Sequence, residues 1–428
     1  MQTSANPMSA TGQAYVRVLE SHLRPAMGCT EPIAIAYAAA VAKRVLGQMP
    51  ERTEVLVSGN ILKNAKSVVV PNTAGRKGVE AACAAGLVAG DAAKELQVIA
   101  SVTDGQRAQI DALLGGGSVV VGLKPDARLF DILVTVYAGG ESASARIADR
   151  HTNVVAVCKN GQPLLQEALG AEDTGESPDE ALLSIEQIVA FATECDLDCV
   201  RAVLERQIAC NDAVAQEGLR GDWGACVGKV LLGYDPRDVR IRARACAAAG
   251  SDARMSGCEL PVTINSGSGN QGITVSVPLI EYARAMNLPH DKLLRALIVS
   301  NLIAIRLKAL IGCLSAYCGA ISAGAAAGAG ICYLLGGDLY LISHTLVNAL
   351  AILSGAICDG AKPSCAAKIA CAVDAGILGM QMALHHKQFR GGEGIITKGV
   401  ENTIRNIGRL GKDGMRETDQ EILRIMLG

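Results

Sequence analysis

From Ala309 to Gly337 the chain carries no Asp, Glu, Lys or Arg, and a second apolar run, Leu339 to Ile357, follows directly. The first run is long enough to span a bilayer, and Gly324 and Gly328 form a GxxxG pair of the kind that packs membrane helices. Its content argues the other way. It is mostly Ala, Gly and Ser, and the second run holds His344 and Asn348. Aromatic residues for interfacial belts are scarce, with three Phe, one Trp and eight Tyr in 428 residues. A helical hairpin buried at the centre of a globular domain explains both runs, and no membrane partner is expected. With 50% of the chain apolar and 3% aromatic, the core has to be built from Ala, Val, Leu and Ile, and 47 glycines permit close backbone approach.

Lys and Arg total 40 against 42 Asp and Glu, a net charge of −2. An electrostatic nucleic-acid binder needs a basic surplus or patch, so nucleic acid is not an expected partner. The apolar content excludes disorder. The N-terminal stretch MQTSANPMSATGQAY has no basic region followed by an apolar one, so no secretory signal is read and a cytoplasmic location is expected. Thiols stay reduced there. The 15 cysteines are then mostly small core residues, with metal ligands or a nucleophile among them.

Residues 11–46 read as helical with a break at Pro25–Cys29. Thr30 is the expected N-cap, Glu31 suits the first turn, Pro32 lies near the first helical position, and Gly47 ends the helix. Between 52 and 165, short β-branched runs (TEVLVSG, KSVVVPN, GSVVVGL, FDILVTVYA, NVVAVC) alternate with Gly- and Asn-rich turns and one Ala-rich helix at 77–97. Gly170–Glu176 reads as a linker. A capping box, Ser177-Pro-Asp-Glu180, is expected to start a long helix. Helical periodicity then dominates to the end, interrupted at 265–278 (NSGSGNQGITVSVP), and a second capping box, Thr418-Asp-Gln-Glu421, opens the last helix. The expected fold is α+β, a mainly helical catalytic core with a smaller mixed α/β portion in the N-terminal half. Residues 1–50 are expected to pack as helices on that core, 51–170 to form the α+β domain, and 177–428 the helical catalytic domain.

Three places concentrate chemistry. Cys29 lies just before a helix N-terminus, where backbone N–H groups and the helix dipole favour a thiolate. Cys318 sits inside the uncharged run. Cys358 and Cys365 bracket a Gly/Pro turn, and Ser364-Cys365 opens a further helix. A loop cysteine followed by one at a helix start can wrap a metal or cluster, and a helical hairpin would return Cys318 towards Cys358. The spacing is neither CxxC nor a ferredoxin run. Cys195 and Cys199 have no second pair at zinc-finger distance and read as surface or packing residues.

MGCTEP (27–32), SGNILKN (58–64), NSGSGNQGI (265–273), YCGAISAGAAAGAG (317–330) and CDGAKPSC (358–365) together resemble the L-cysteine desulfidase family, which is related to the catalytic domain of bacterial iron–sulfur L-serine dehydratases. The resemblance extends over nearly the whole chain. It implies a pyridoxal-independent β-elimination of L-cysteine to hydrogen sulfide, ammonia and pyruvate on an oxygen-sensitive [4Fe–4S] cluster, with a small-molecule amino acid as substrate; separately, a homo-oligomer is expected, with a dimer as the guess. By the same resemblance Cys318, Cys358 and Cys365 match the cluster ligands, and 177–428 becomes the cluster-binding domain. Cys29 matches the proposed catalytic base, and a role as fourth ligand stays open. Six residues separate the second and third ligands, closer than in the serine dehydratases, and the C-terminal IMLG holds no cysteine. Both departures favour cysteine over serine. Three protein thiolates would leave one iron free to act as a Lewis acid.

The NSGSGNQG loop offers Asn265, Ser266, Gly267, Asn270 and Gln271 to a substrate carboxylate through backbone N–H groups and amides, or is a plain strand–turn connection. It superficially resembles the substrate loop of pyridoxal-phosphate β-eliminases, the alternative enzyme class. However, no lysine precedes it in a Schiff-base context, and the glycine run Gly115–Gly117 lies on the wrong side. Ser58, Asn60 and Lys63 form a second loop-to-helix segment suited to substrate. His151 is the best placed histidine, His385 and His386 read as solvated, and Lys398 and Arg405 read as caps or surface pairs.

Overall fold

The computed structural model describes residues 9–170, 176–312 and 314–428. The expected linker at 170–176 falls mostly outside them. In the N-terminal half, helix α1 (Ala10–His22) leads through the short strand β1 (Pro25–Met27) to α2 (Thr30–Leu46). Strand β2 (Arg52–Val57), helices α3 (Gly59–Ala65), α4 (Gly78–Ala89) and α5 (Asp104–Gly115), and strands β3 (Val119–Leu123), β4 (Asp131–Ala138), β5 (Glu141–Ala148), β6 (Val154–Lys159) and β7 (Gln162–Gln166) follow. The strands form one sheet in the order β3-β2-β4-β5-β6-β7, antiparallel except for the β2–β3 pair. Alternate residues of β4, Ile132, Val134, Val136 and Ala138, are buried, and α2 packs across β4 and β5.

The rest is helical: α6 (Ile185–Glu194), α7 (Asp198–Arg220), α8 (Val227–Leu232), α9 (Val239–Met255), then, after strand β8 (Pro261–Thr263), α10 (Gly269–Ala285), α11 (His290–Ile311), α12 (Gly319–Leu334), α13 (Leu339–Ile352), α14 (Cys365–Leu384), α15 (Val400–Arg409) and α16 (Arg416–Leu427). The fold is α+β, as expected. The uncharged run divides into the end of α11, a loop and α12, which is buried along almost its whole length against α10, α11 and α14. The second run becomes α13, closing the hairpin. Asn348 is buried there, and its amide donates to the carbonyls of Gly379 (3.2 Å) and Lys387 (3.1 Å) while accepting from Phe389 N–H (3.0 Å). By length and composition α14 could cross a membrane, with about half of it buried within the fold.

Several expectations are corrected. Within 9–50 the helices divide: α1 packs on α7 and α11, whereas α2 packs on the sheet. KSVVVPN forms no strand, because the chain turns at Pro71 and Asn72, leaving one isolated bridge between Val69 and Lys77. The 77–97 helix stops at Ala89 and resumes as a 3-10 segment, Ala92–Gln97, broken by a kink at Glu95. Ser177 and Glu180 exchange their capping bonds (2.6 and 3.3 Å) but start no long helix. Glu180 also meets His22 Nε2 at 2.9 Å, and Tyr15 OH donates to Leu182 O at 2.7 Å, which ties this turn to α1. The α6 helix starts afresh, capped by Ser184. The last helix begins at Arg416, so Thr418 lies inside its first turn. The 265–278 interruption shrinks to 265–268, and α10 runs through Pro278. Its β-branched residues stay helical because burial on all sides outweighs local propensity, and Thr274 and Ser276 hydroxyls bond back to the carbonyls of Asn270 (2.6 Å) and Gly272 (2.7 Å).

Helices α12 and α14 touch backbone to backbone. A Cβ on Gly376 would lie 2.2 Å from the Gly324 carbonyl oxygen, which cannot give way cheaply. Gly376→Ala is therefore expected to lower unfolding free energy by about 1–3 kcal/mol in urea titration. Gly115→Ala, with no neighbouring atom within 4 Å at the end of α5, is expected to leave stability unchanged or raise it by up to about 1 kcal/mol.

Candidate active site

Three distant segments meet because short strands staple them. Strand β1 pairs antiparallel with β8, Ala26 opposite Val262, and Ile264 N–H donates to Arg24 O at 2.9 Å. The segments that follow, 28–32 and 265–271, are thereby laid side by side, and Thr30 Oγ1 donates to Gly267 O at 2.9 Å. Cys29, not Thr30, is the N-cap residue of α2. A second staple is the isolated antiparallel bridge between Tyr317 and Ile357. Cys318 N–H donates to Ala356 O (2.9 Å) and Cys358 N–H to Ala316 O (2.7 Å). Cys318 and Cys358 thus leave the bridge together.

Cys318 caps the start of α12, and Cys365 is the first residue of α14. The intervening turn is fixed by Asp359, which pairs with Lys362 and with Lys368 (2.8 Å). Gly360 within it has φ +96° and lies against the Lys63 carbonyl, where a Cβ would come within 2.2 Å. Only glycine suits that position. Cys29, Cys318, Cys358 and Cys365 all line one cavity of about 1020 Å³, together with Glu31, Asn64, His151, Arg254, Ser266, Gly267, Asn270, Gln271 and Lys308. Cys29 packs with Val68 and Met255 against Cys365.

The electrostatics separate the thiols. Cys358 is pushed down to about 6, because the Cys318 S–H donates to it, aided against burial by Lys63, the Gly360 N–H and Lys308. Cys318, the donor, is correspondingly pushed up, and burial raises Cys365. Cys29 departs from the thiolate expected at a helix N-terminus. Burial, then the carboxylate of Glu31, push its thiol well above the usual range, and its S–H donates to Glu31 Oε2 at 3.1 Å. Desolvation and a like charge outweigh the dipole. Asn64 Nδ2 donates to Glu31 Oε1 at 3.2 Å, while the Thr30 hydroxyl, its one proton engaged by Gly267 O, lies 3.2 Å from Oε2.

Asn265 faces inward, its amide donating to Asn301 Oδ1 at 2.9 Å, so it braces the loop and does not line the cavity. Ser266, Gly267, Asn270 and Gln271 do line it, and Gln271 Oε1 is buried without a partner. Ser58, Asn60 and Lys63 instead line a neighbouring cavity of about 570 Å³ that shares Gly312, Leu314 and Ser315 with the first. Ser58 caps α3, accepting from Ile61 N–H at 3.3 Å, and buried Lys63 pairs with Asp419. Glu31, Asn64, Arg254 and Lys308 are cavity residues that sequence reasoning passed over. The signal for Arg254 is a charged residue ending a run of small ones, ACAAAGSDAR. Lys398, Arg405, His385 and His386 are exposed.

Among the described residues no three His, Cys, Asp or Glu side chains converge on a single-ion site. A cluster, whose thiolates hold separate irons, asks instead for soft sulfur donors around a cavity. Cys318, Cys358 and Cys365 fit that requirement, with helix N-termini behind two of them. The family model described as serine dehydratase alpha chain matches residues 93–424. The chain belongs to that family. A UPF0597 protein of Desulfitobacterium hafniense is 55% identical across 97% of this chain and 96% of its own length. UPF0597 proteins of Lachnoclostridium phytofermentans and Finegoldia magna are 49% and 48% identical, each over 96% of this chain and 99% of theirs. The serine dehydratase alpha chain family is named for a lyase activity, and the cavity-lining cysteines at 318, 358 and 365 all lie within the matched region.

In metal-free protein at neutral pH, alkylation by iodoacetamide is expected to reach Cys358 before the other three cavity cysteines, because only the thiolate reacts and Cys358 alone is shifted towards it. Cys29 and Cys318 are expected to stay unlabelled at neutral pH in peptide mass spectra.

Proposed function

We propose that this protein is a lyase that eliminates hydrogen sulfide from L-cysteine, giving 2-aminoacrylate that water hydrolyses to pyruvate and ammonia, with a [4Fe–4S] cluster held by Cys318, Cys358 and Cys365. The convergence of these three cysteines on the cavity that also receives the 266–271 loop carries the reading. When bound, the cluster supplies Lewis-acid iron that stabilises the leaving group. The chain's own residues do the rest. Ser266, Gly267, Asn270 and Gln271 orient the substrate. Cys29 is the base for the α-proton, and it becomes one by passing its S–H proton to Glu31 Oε2, 3.1 Å away. Asn64 holds the Glu31 carboxylate in place for that transfer.

The family match favours a second reading, elimination of water from L-serine in the same cavity. Comparing pyruvate formation from the two amino acids decides between them. The shorter spacing of Cys358 and Cys365 supports cysteine.

Anaerobically purified protein is expected to be brown with about four irons per chain, and Cys358→Ala to lose both colour and sulfide release. A colourless, iron-free anaerobic preparation that still releases sulfide contradicts the proposal.

A further inference from the structure

Other largely covered guanidinium groups in this protein have a carboxylate: Arg128 meets Asp149 at 2.7 Å, and Arg306 pairs with Glu176 and with Glu401. Arg254, at the end of α9, is different. It is 3% exposed, Nη1 donates to the neutral Asn270 Oδ1 at 3.0 Å, and Nε is buried with no partner. A desolvated cation without an anion is costly, so the arrangement is completed by an anion from outside the chain.

Its position says which one. Arg254 lies across the start of α10, its Nε 2.3 Å from where a Cβ on Gly269 would sit. The helix N-terminus there, capped by Ser268, adds N–H groups and the positive end of the dipole. Asn270 is held for its part by a contact from Nδ2 to Met255 Sδ at 3.6 Å. On the other side of the loop the His151 ring lies over Gly267, Cε1 3.0 Å from an added Cβ. His151 stacks edge-on to Phe130 at 4.7 Å, and its buried Nε2 lacks a partner. Burial keeps this imidazole neutral at neutral pH. Arg254 and His151 both line the cavity that holds the cysteines.

We infer that Arg254, seated on the N-terminus of α10, is the anchor for the α-carboxylate of the substrate, with His151 as an uncharged second contact. The inference rests on the lyase reading and deepens it, restricting substrates to free amino acids whose carboxylate is neither esterified nor in a peptide bond. A guanidinium fork matches a carboxylate in a way that an ammonium does not.

The test is inhibition of sulfide release from L-cysteine. Against wild-type holoenzyme, 3-mercaptopropionate, which keeps the thiol and carboxylate, is expected to inhibit competitively at least about 10-fold more strongly than cysteamine, which keeps the thiol and amine. Arg254→Lys, which retains the buried charge, is expected to raise KM for L-cysteine about 10- to 100-fold with a smaller change in kcat, and to abolish the preference between the two inhibitors. Equal inhibition of the wild type by both compounds overturns the inference while sulfide release leaves the lyase reading standing. An unchanged KM in a folded Arg254→Lys protein does the same. Wild-type holoenzyme that forms pyruvate from neither L-cysteine nor L-serine overturns the lyase reading and this inference with it.

Discussion

The site depends on one small piece of backbone pairing, the bridge between Tyr317 and Ile357. Two hydrogen bonds, Cys318 N–H to Ala356 O and Cys358 N–H to Ala316 O, close the helical hairpin of α12 and α13 at its open end. They bring together residues forty positions apart and leave two sulfurs close enough for one to donate to the other. The turn that follows is short and pinned by Asp359, so Cys365 is delivered to the same cavity at the start of α14. The small-residue packing of α12 against α14, glycine on glycine, fixes the distance between the two helix starts that carry these cysteines.

Burial then decides which groups are charged. Helix N-termini favour thiolates, yet only Cys358 falls below the ordinary cysteine range among the four cavity cysteines, because it receives a hydrogen bond and faces Lys63 and Lys308. Cys29 stands at a helix start as well and stays protonated, since burial and Glu31 act against ionisation. The motif around it places a donor, Cys29, and an acceptor, Glu31, two residues apart on the same turn.

Much of this could be read before the structure was known. The uncharged run signalled a buried hairpin because Ala, Gly and Ser cannot build a membrane span's interfacial belts. The helix start at Cys365 and the end of α2 at Gly47 followed from local signals. What escaped was set by tertiary context. The stretch after Gly269 looks like a strand by its Thr and Val content and is a buried helix. β5, ESASARIA, looks like nothing in particular and is a central strand between β4 and β6. Ser58 and Lys63 looked suited to substrate, but a cap and a buried ion pair occupy them. Arg254 was missed although the small-residue run before it, ACAAAGSDAR, is a local sign that its helix is buried.

The central claim is that substrate meets a cluster held by Cys318, Cys358 and Cys365. An anaerobic visible absorbance spectrum, taken before and after addition of L-cysteine, tests it most directly. The account expects a broad visible charge-transfer band from the cluster that shifts on addition of substrate and is absent in Cys358→Ala. A band that L-cysteine leaves unchanged while sulfide is released would contradict it.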